Sequence, residues 1–218
     1  MRSIESGNVV IVAQNLDPSV FSELWSVRNG ILAEGARPGE SFLSPVAARA
    51  TTADFELLVV PERLQFAPRT PTDDAQQIVQ DTVGRIVALL PHTPYRAFGI
   101  NFDWLATTED QALFCSSIRR MFVPEASELY SHFAEADARF GAHLSRDALG
   151  LRLRLDIQPI RRDADGAKAE GLLYHFNFNL DLQGERAPEQ IQQGIGKWAE
   201  SRRLSQEIFE STTGWCEP

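Results

Sequence analysis

Apolar residues along the chain follow two rhythms, and the rhythm changes mark the elements. Asn8 to Asn15 carries Val9-Val10-Ile11-Val12-Ala13, a continuous β-branched run too short for a helix core, which predicts a strand buried on both faces. Asp17-Pro18 then supplies a capping residue and a first-turn proline. Val20, Phe21, Leu24, Trp25, Ile31 and Leu32 follow at helical spacing, a helix expected to end near Asn29-Gly30 or shortly after. Residues 33–41 have loop composition, and Phe42 to Thr51 can extend as a strand with Pro45 on an edge. Phe55 to Val60 is apolar at both parities, a second doubly buried strand, closed by Pro61-Glu62-Arg63 and returned through Leu64-Gln65-Phe66. Thr70-Pro71-Thr72-Asp73 resembles a capping box, after which Ile78, Val79, Thr82, Val83, Ile86, Val87 and Leu90 draw one apolar stripe that Pro91 and Pro94 stop. Tyr95 to Trp104 alternates, with Phe98, Ile100, Phe102 and Trp104 on one side and Gly99, Asn101 and Asp103 on the other.

The resulting order is strand, helix, strand, strand, helix, strand. In a split-βαβ, ferredoxin-like arrangement the first and third strands are the inner ones, and these are the two all-apolar runs, so residues 1–106 are expected to form such a unit. Residues 107–218 read as helices, an antiparallel hairpin and a C-terminal helix packed with the first unit into one α+β body. A helix is capped at Thr108-Glu109-Asp110-Gln111 and carries Leu113, Phe114, Ile118 and Phe122; Pro124 opens a short one through Leu129, Tyr130 and Phe133. Strands follow over Leu149 to Ile157 and Leu172 to Leu182, joined by a polar tip from Arg161 to Gly171. Pro188 begins a last helix through Trp198 and Phe209, weakened by Gly194 and Gly196. No short-period repeat occurs, although both halves mix strands and helices as a faint duplication would.

Composition narrows the partners. The 218 residues are 43% hydrophobic and 23% charged, an ordinary globular balance, and 21 Lys+Arg against 30 Asp+Glu give a formal charge of −9. A surface of that sign repels phosphate backbones and anionic lipid heads; Arg152, Arg154, Arg161 and Arg162, or Arg202 and Arg203, fall short of a basic stripe. Nucleic acid is therefore not the expected partner. Without an apolar leader at the N-terminus or a window near membrane-spanning length, the expected location is the cytoplasm. Cys115 and Cys216 lie far apart without metal or redox spacing; Cys115 falls on the packed face of a helix and Cys216 is expected to be the more exposed thiol. No metal or cofactor motif is present: Gly194-Ile195-Gly196-Lys197 sits inside a helix pattern, and His92, His132, His143 and His175 form no short-spaced ligand pair.

The densest polar constellation is one face of the C-terminal hairpin. Arg152, Arg154, Asp156 and Gln158 alternate with leucines on one strand, and His175, Asn177, Asn179 and Asp181 with apolar residues on the next. Two registers match the apolar sides, one opposing Asp156 to His175 and Arg154 to Asn177, the other Arg154 to Asn179 and Arg152 to Asp181. Asn101 and Asp103 join this face if their strand belongs to the same sheet. No serine elbow accompanies the Asp156-His175 pair, so acyl-transfer chemistry has no sequence support. The reading this favours is a non-catalytic protein-binding or assembly subunit, meeting a partner or copies of itself through sheet edges or this polar face. The alternative is an enzyme or small-ligand protein with a pocket between the halves holding Arg152, Arg154, His175 and Asp103.

Overall fold

The computed structural model describes residues 1–33, 42–123, 128–164 and 167–216. Among these residues one antiparallel sheet runs through both halves of the chain. Its nine strands are β1 (Arg2–Ala13), β2 (Phe42–Ser44), β3 (Ala47–Thr51), β4 (Phe55–Val60), β5 (Arg63–Pro68), β6 (Tyr95–Thr108), β7 (Ala142–Ala148), β8 (Leu151–Ala164) and β9 (Ala167–Asp181). They lie in the order β2-β3-β4-β5-β1-β6-β9-β8-β7. The helices are α1 (Glu23–Arg28), α2 (Ala75–Val79), α3 (Arg85–Leu89), α4 (Gln111–Phe122), α5 (Glu128–Ser131), α6 (Ala187–Ile195) and α7 (Trp198–Thr212).

The split-βαβ expectation for residues 1–106 gives way to a different topology. β5 lies between β1 and β4, pairing Ile11 with Leu64 and Leu57 with Phe66, so the two apolar runs are not neighbours. The physical reason is the tight Pro61-Glu62 turn. It returns the chain directly beside β4, and the alternation of Leu64 and Phe66 with Arg63 and Gln65 makes that return a full strand. β1 pairs antiparallel on both sides, and the element order becomes a repeat: one strand, a helix, a meander and a helix (β1, α1, β2–β5, α2–α3), then again (β6, α4–α5, β7–β9, α6–α7).

Several local expectations are corrected in the same way. Pro45-Val46 is the turn between β2 and β3 rather than an edge position within one strand. The first helix is split: Asp17 caps a 3-10 turn over Pro18–Phe21, and the extended Ser22 then caps α1 by accepting from the Trp25 amide at 3.3 Å. Residues 34–41, read as loop, and Pro124 lie outside the described residues. The second helix starts at Ala75, since Asp73 is taken up by Arg202 at 3.1 Å. It passes through a π turn at Gln80–Gly84, where Gln192 of α6 donates to the Gly84 carbonyl at 2.6 Å and diverts it from the helical ladder. Asp110 caps α4, accepting from the Leu113 amide at 2.9 Å. The C-terminal helix breaks at Gly196 into α6 and α7.

The hairpin is longer than its polar tip suggested, pairing Arg161 with Glu170 and continuing to Ala164 and Ala167. At its other end Leu149 and Gly150 form the β7–β8 turn with φ of 58° and 77°, so Leu149 is not a strand residue. The helices gather on the sheet face that carries Val9, Ile11, Phe66, Phe98, Phe102, Trp104, Tyr174 and Phe176, and this layer is the core. Trp198 packs edge-on to Phe102 at 4.8 Å, and α6 crosses β6 so closely that a Cβ on Gly194 would stand 2.5 Å from the Phe98 ring. Cys216, expected near the surface, is buried, its Sγ 3.1 Å from the Met1 carbonyl oxygen. No helix among the described residues is long and apolar enough to cross a membrane.

Candidate functional site: the open face of the sheet

The sheet face opposite the helices is the candidate site, and pairing aligns its side chains into rows that run across the strands. One row is Ser6, Asp103, His175, Asp156 and His143, on β1, β6, β9, β8 and β7 in turn. Ser6 Oγ donates to Asp103 Oδ2 at 2.6 Å, Nδ1 of His175 donates to Asp103 Oδ1 at 2.6 Å, and His143 bonds Asp156 through Nδ1. The next row is Asn8, Asn101, Asn177, Arg154 and Ser145. Asn177 donates to Asn101 at 2.6 Å and Asn101 to Asn8 at 2.9 Å, a ladder of side-chain amides that repeats the logic of the backbone ladder beneath it. A third row crosses eight strands: Arg49, Leu58, Gln65, Val10, Gly99, Asn179, Arg152 and Asp147. Arg152 donates to Asp147 at 3.1 Å and to Ser145 at 2.8 Å, while Asn179 reaches Asp181 at 3.4 Å.

All nine residues singled out in the sequence, Arg152, Arg154, Asp156, His175, Asn177, Asn179, Asp181, Asn101 and Asp103, therefore lie on this one face, and of the two registers the structure adopts Asp156 opposite His175. Arg154 makes no side-chain hydrogen bond or ion pair among the described residues. The sequence reading misses Ser6, which precedes the run starting at Asn8, and does not place Asn8, Ser145 or Asp147 on this face; His143 enters it only as a ligand candidate beside His175, from which β8 separates it. The first miss has a cause: a bulge between Ile4 and Ser6 breaks the alternation that would have extended β1. The polar face is also not wholly polar, since Leu173 stands on it between Leu105 and Gln158.

In the first row the serine donates to a carboxylate and the imidazole binds the same carboxylate from the other side, so Ser6 and His175 are not hydrogen-bonded to one another and the serine–histidine–aspartate order of acyl-transfer triads is not formed. The five groups of this row lie on a broad face rather than in a cleft that would exclude water, and none of them lines the larger cavities among the described residues. Among the described residues no group of three or more His, Cys, Asp or Glu is placed to hold a metal ion.

Where the face meets its end, charge is pinned. Glu5 on the β1 bulge takes Arg162 at 2.6 Å. On the helix side Glu170 is buried and its Oε1 accepts from both Arg139 and Arg161 at 2.7 Å. Burial alone would push the Glu170 carboxyl up, but the hydrogen bonds from Arg161 and Arg139 and their charges outweigh it and hold the group below its ordinary range. Tyr95, buried at the start of β6, is pushed up to about 12 by that burial.

No protein-family model matches the chain, and no curated protein sequence matches it.

Proposed function

We propose that the protein is a non-catalytic assembly module that pairs with a second copy of itself through the open face of its sheet. The observation that carries this reading is the position of four aliphatic side chains. The apolar runs of β1 and β4 have the composition of strands covered on both sides, yet the helices cover only one. Val10 and Val12 on β1 and Leu58 and Val60 on β4 are left on the open face, on either side of Gln65 and Arg63 of β5, with Val12 40% exposed and the other three half-buried. Aliphatic positions in the middle of a sheet face, interspersed with and rimmed by polar groups, are the anatomy of an interface.

Charge supports the choice of partner. On the β3–β5 side the face bears Arg49, Arg63 and Arg69 against Glu56; on the β6–β9 side it bears Asp103, Asp147, Asp156 and Asp181 against Arg152 and Arg154. A twofold that lays one side over the other brings opposite excesses together. β1 is the fifth of nine strands, so Val10 and Val12 would meet their own counterparts near the axis. At a strand spacing of ~4.8 Å the sheet is about 38 Å wide, ample for the roughly 800 Å² per partner of a standard interface.

Sedimentation velocity across a concentration series tests this. A dimer is expected, weakened by salt, and Val12→Asp should shift the midpoint at least about tenfold toward monomer by placing like charges across the axis, with the thermal melt unchanged at concentrations low enough for both proteins to be monomeric. A wild-type chain that stays monomeric to hundreds of micromolar overturns the reading.

A further inference from the structure

We infer that pairing through the open face is governed by protonation of His143 and His175, closed while both imidazoles are neutral and loosened on mild acidification. This regulation rests on the face-to-face pairing proposed above. Both histidines stand on the acidic side of the face, in the row Ser6-Asp103-His175-Asp156-His143, while His92 and His132 lie in turns after α3 and α5. The side chain of His175 is 39% exposed and that of His143 67% exposed, so solvent protons reach both rings and a second copy seated on the face would cover them. Imidazole is the group whose charge ordinarily changes between about pH 5 and 8, a window in which carboxylates and guanidinium groups ordinarily keep theirs.

The surroundings of each ring set the sign. His175 Nδ1 bonds Asp103 of β6 at 2.6 Å, and Asp103 also accepts from Ser6 of β1; on its other flank His175 stands opposite Asp156 of β8, with Arg154 two residues along that strand and Asn177 two residues along its own. His143 bonds Asp156, with Arg154 and Gln158 on either side of that residue and Ser145 two residues along β7; no strand pairs with its outer edge among the described residues. With both rings neutral, Asp103, Asp147, Asp156 and Asp181 exceed Arg152 and Arg154 by two charges, and the ion pair of Glu5 with Arg162 at the end of the face adds none. The second copy's Arg49, Arg63 and Arg69 exceed its Glu56 by the same number. One proton on each ring cancels the acidic excess and leaves those arginines against a side of no net sign. The paired state therefore holds fewer protons than the separated chains, and association weakens as pH falls. The charge of the whole chain works in the other direction, because acidification reduces the −9 that drives two copies apart.

The experiment is sedimentation velocity of the full chain across a concentration series, from about pH 8 to about pH 5.5 at constant low ionic strength, on the wild type, His143→Gln/His175→Gln and a control, His92→Gln/His132→Gln. Glutamine keeps a neutral hydrogen-bonding group at each position, and a thermal melt of each variant checks that it folds. The wild-type midpoint is expected to rise at least about tenfold in concentration as pH falls, with added salt flattening the slope. The face variant should move less than about twofold, and the control should follow the wild type. His143→Gln alone, a change confined to the exposed edge strand, should remove about half of the logarithmic shift and carries the test if the double variant does not fold. A dimer whose midpoint is constant, a midpoint that falls with pH as the whole-chain charge alone would have it, or a slope kept by the folded face variant overturns the regulation and leaves the pairing standing. A wild-type chain monomeric at every pH removes both.

Discussion

Under α4 Phe114 and Ile118 are fully buried against β9 and Phe140 closes the end of the layer against Tyr130, while hollows of ≈ 670 and ≈ 370 Å³ flank the helix, one beside Asp110 and Leu113 and one beside Ser117 and Met121. Under α1, the corresponding helix of the N-terminal half, a hollow of ≈ 310 Å³ is walled mainly by apolar side chains, Phe21, Ile31, Leu32, Leu57 and Val59 among them. The two halves repeat one order of elements, but the first spends six residues on this helix and the second twelve. The difference extends to the opposite face, where the second half knits Asn, His and Asp side chains into hydrogen-bonded rows and the first leaves Leu58 and Val60 without cover. Repeating an architecture thus fixes where layers go without fixing which side chains line the gaps between them.

The sharpest way to test how the layers are packed is to remove mass from the aromatic core. Trp198→Ala deletes a fully buried ring that packs on Phe102 and donates to the Thr72 carbonyl at 2.8 Å, and it should cost about 3–5 kcal/mol in urea denaturation. A cost below about 1 kcal/mol would mean the layer is no tighter there than under α1. Adding mass tests the same point from the other side. Gly194→Ala forces a Cβ against the Phe98 ring and should destabilise by about 1–3 kcal/mol, whereas Ala48→Leu, pointing into the cavity, should be neutral or stabilise by up to about 2 kcal/mol; equal penalties at the two sites would erase the distinction.

Electrostatics separates the halves more gently. Because the folded Glu170 carboxyl titrates below its ordinary value of 4.5, its contribution is complete above that pH and is lost as pH falls through the lower folded value. The wild-type urea midpoint should therefore drop between pH 5 and pH 3, and Glu170→Gln, less stable at pH 7, should show a shallower drop over that window. Parallel acid slopes in the two proteins would remove Glu170 from the account. The smallest effect belongs to the open face: Asn177→Ala removes one rung of the amide ladder and should cost about 0.5–1.5 kcal/mol, measured as a shift in thermal midpoint.

How far the sequence led can be judged from β4 and β9. The strict alternation of Leu172, Tyr174, Phe176 and Phe178 with His175, Asn177 and Asn179 defined a face, and the structure adds Asn101 and Asp103 to it because β6 pairs directly with β9. Period-two patterning carries that much information. Pairing partners are another matter: Leu57 and Leu64 look equally fit to lie beside Ile11, and only the length of the Pro61-Glu62 turn decides for Leu64. The double apolar parity of β1 and β4 predicts burial on two sides, whereas Val10, Val12, Leu58 and Val60 stand on the face without helices, a distinction that composition cannot draw. The cavity was illegible altogether, since it depends on how short α1 turns out to be after Ser22 interrupts the helical run.

The central place of β1 has a consequence for the order in which the molecule comes into being. A ribosome delivers Val9-Val10-Ile11-Val12 first, but the neighbours that shield this run arrive only with Arg63–Pro68 and, on the other flank, Tyr95–Thr108. For the time it takes to translate some fifty and then thirty further residues, the stickiest segment of the nascent chain has no mate. Its hydrogen-bonding edges are open to any other extended strand nearby. Late closure of the middle places the interval in which unwanted strand pairing competes best before folding rather than after it.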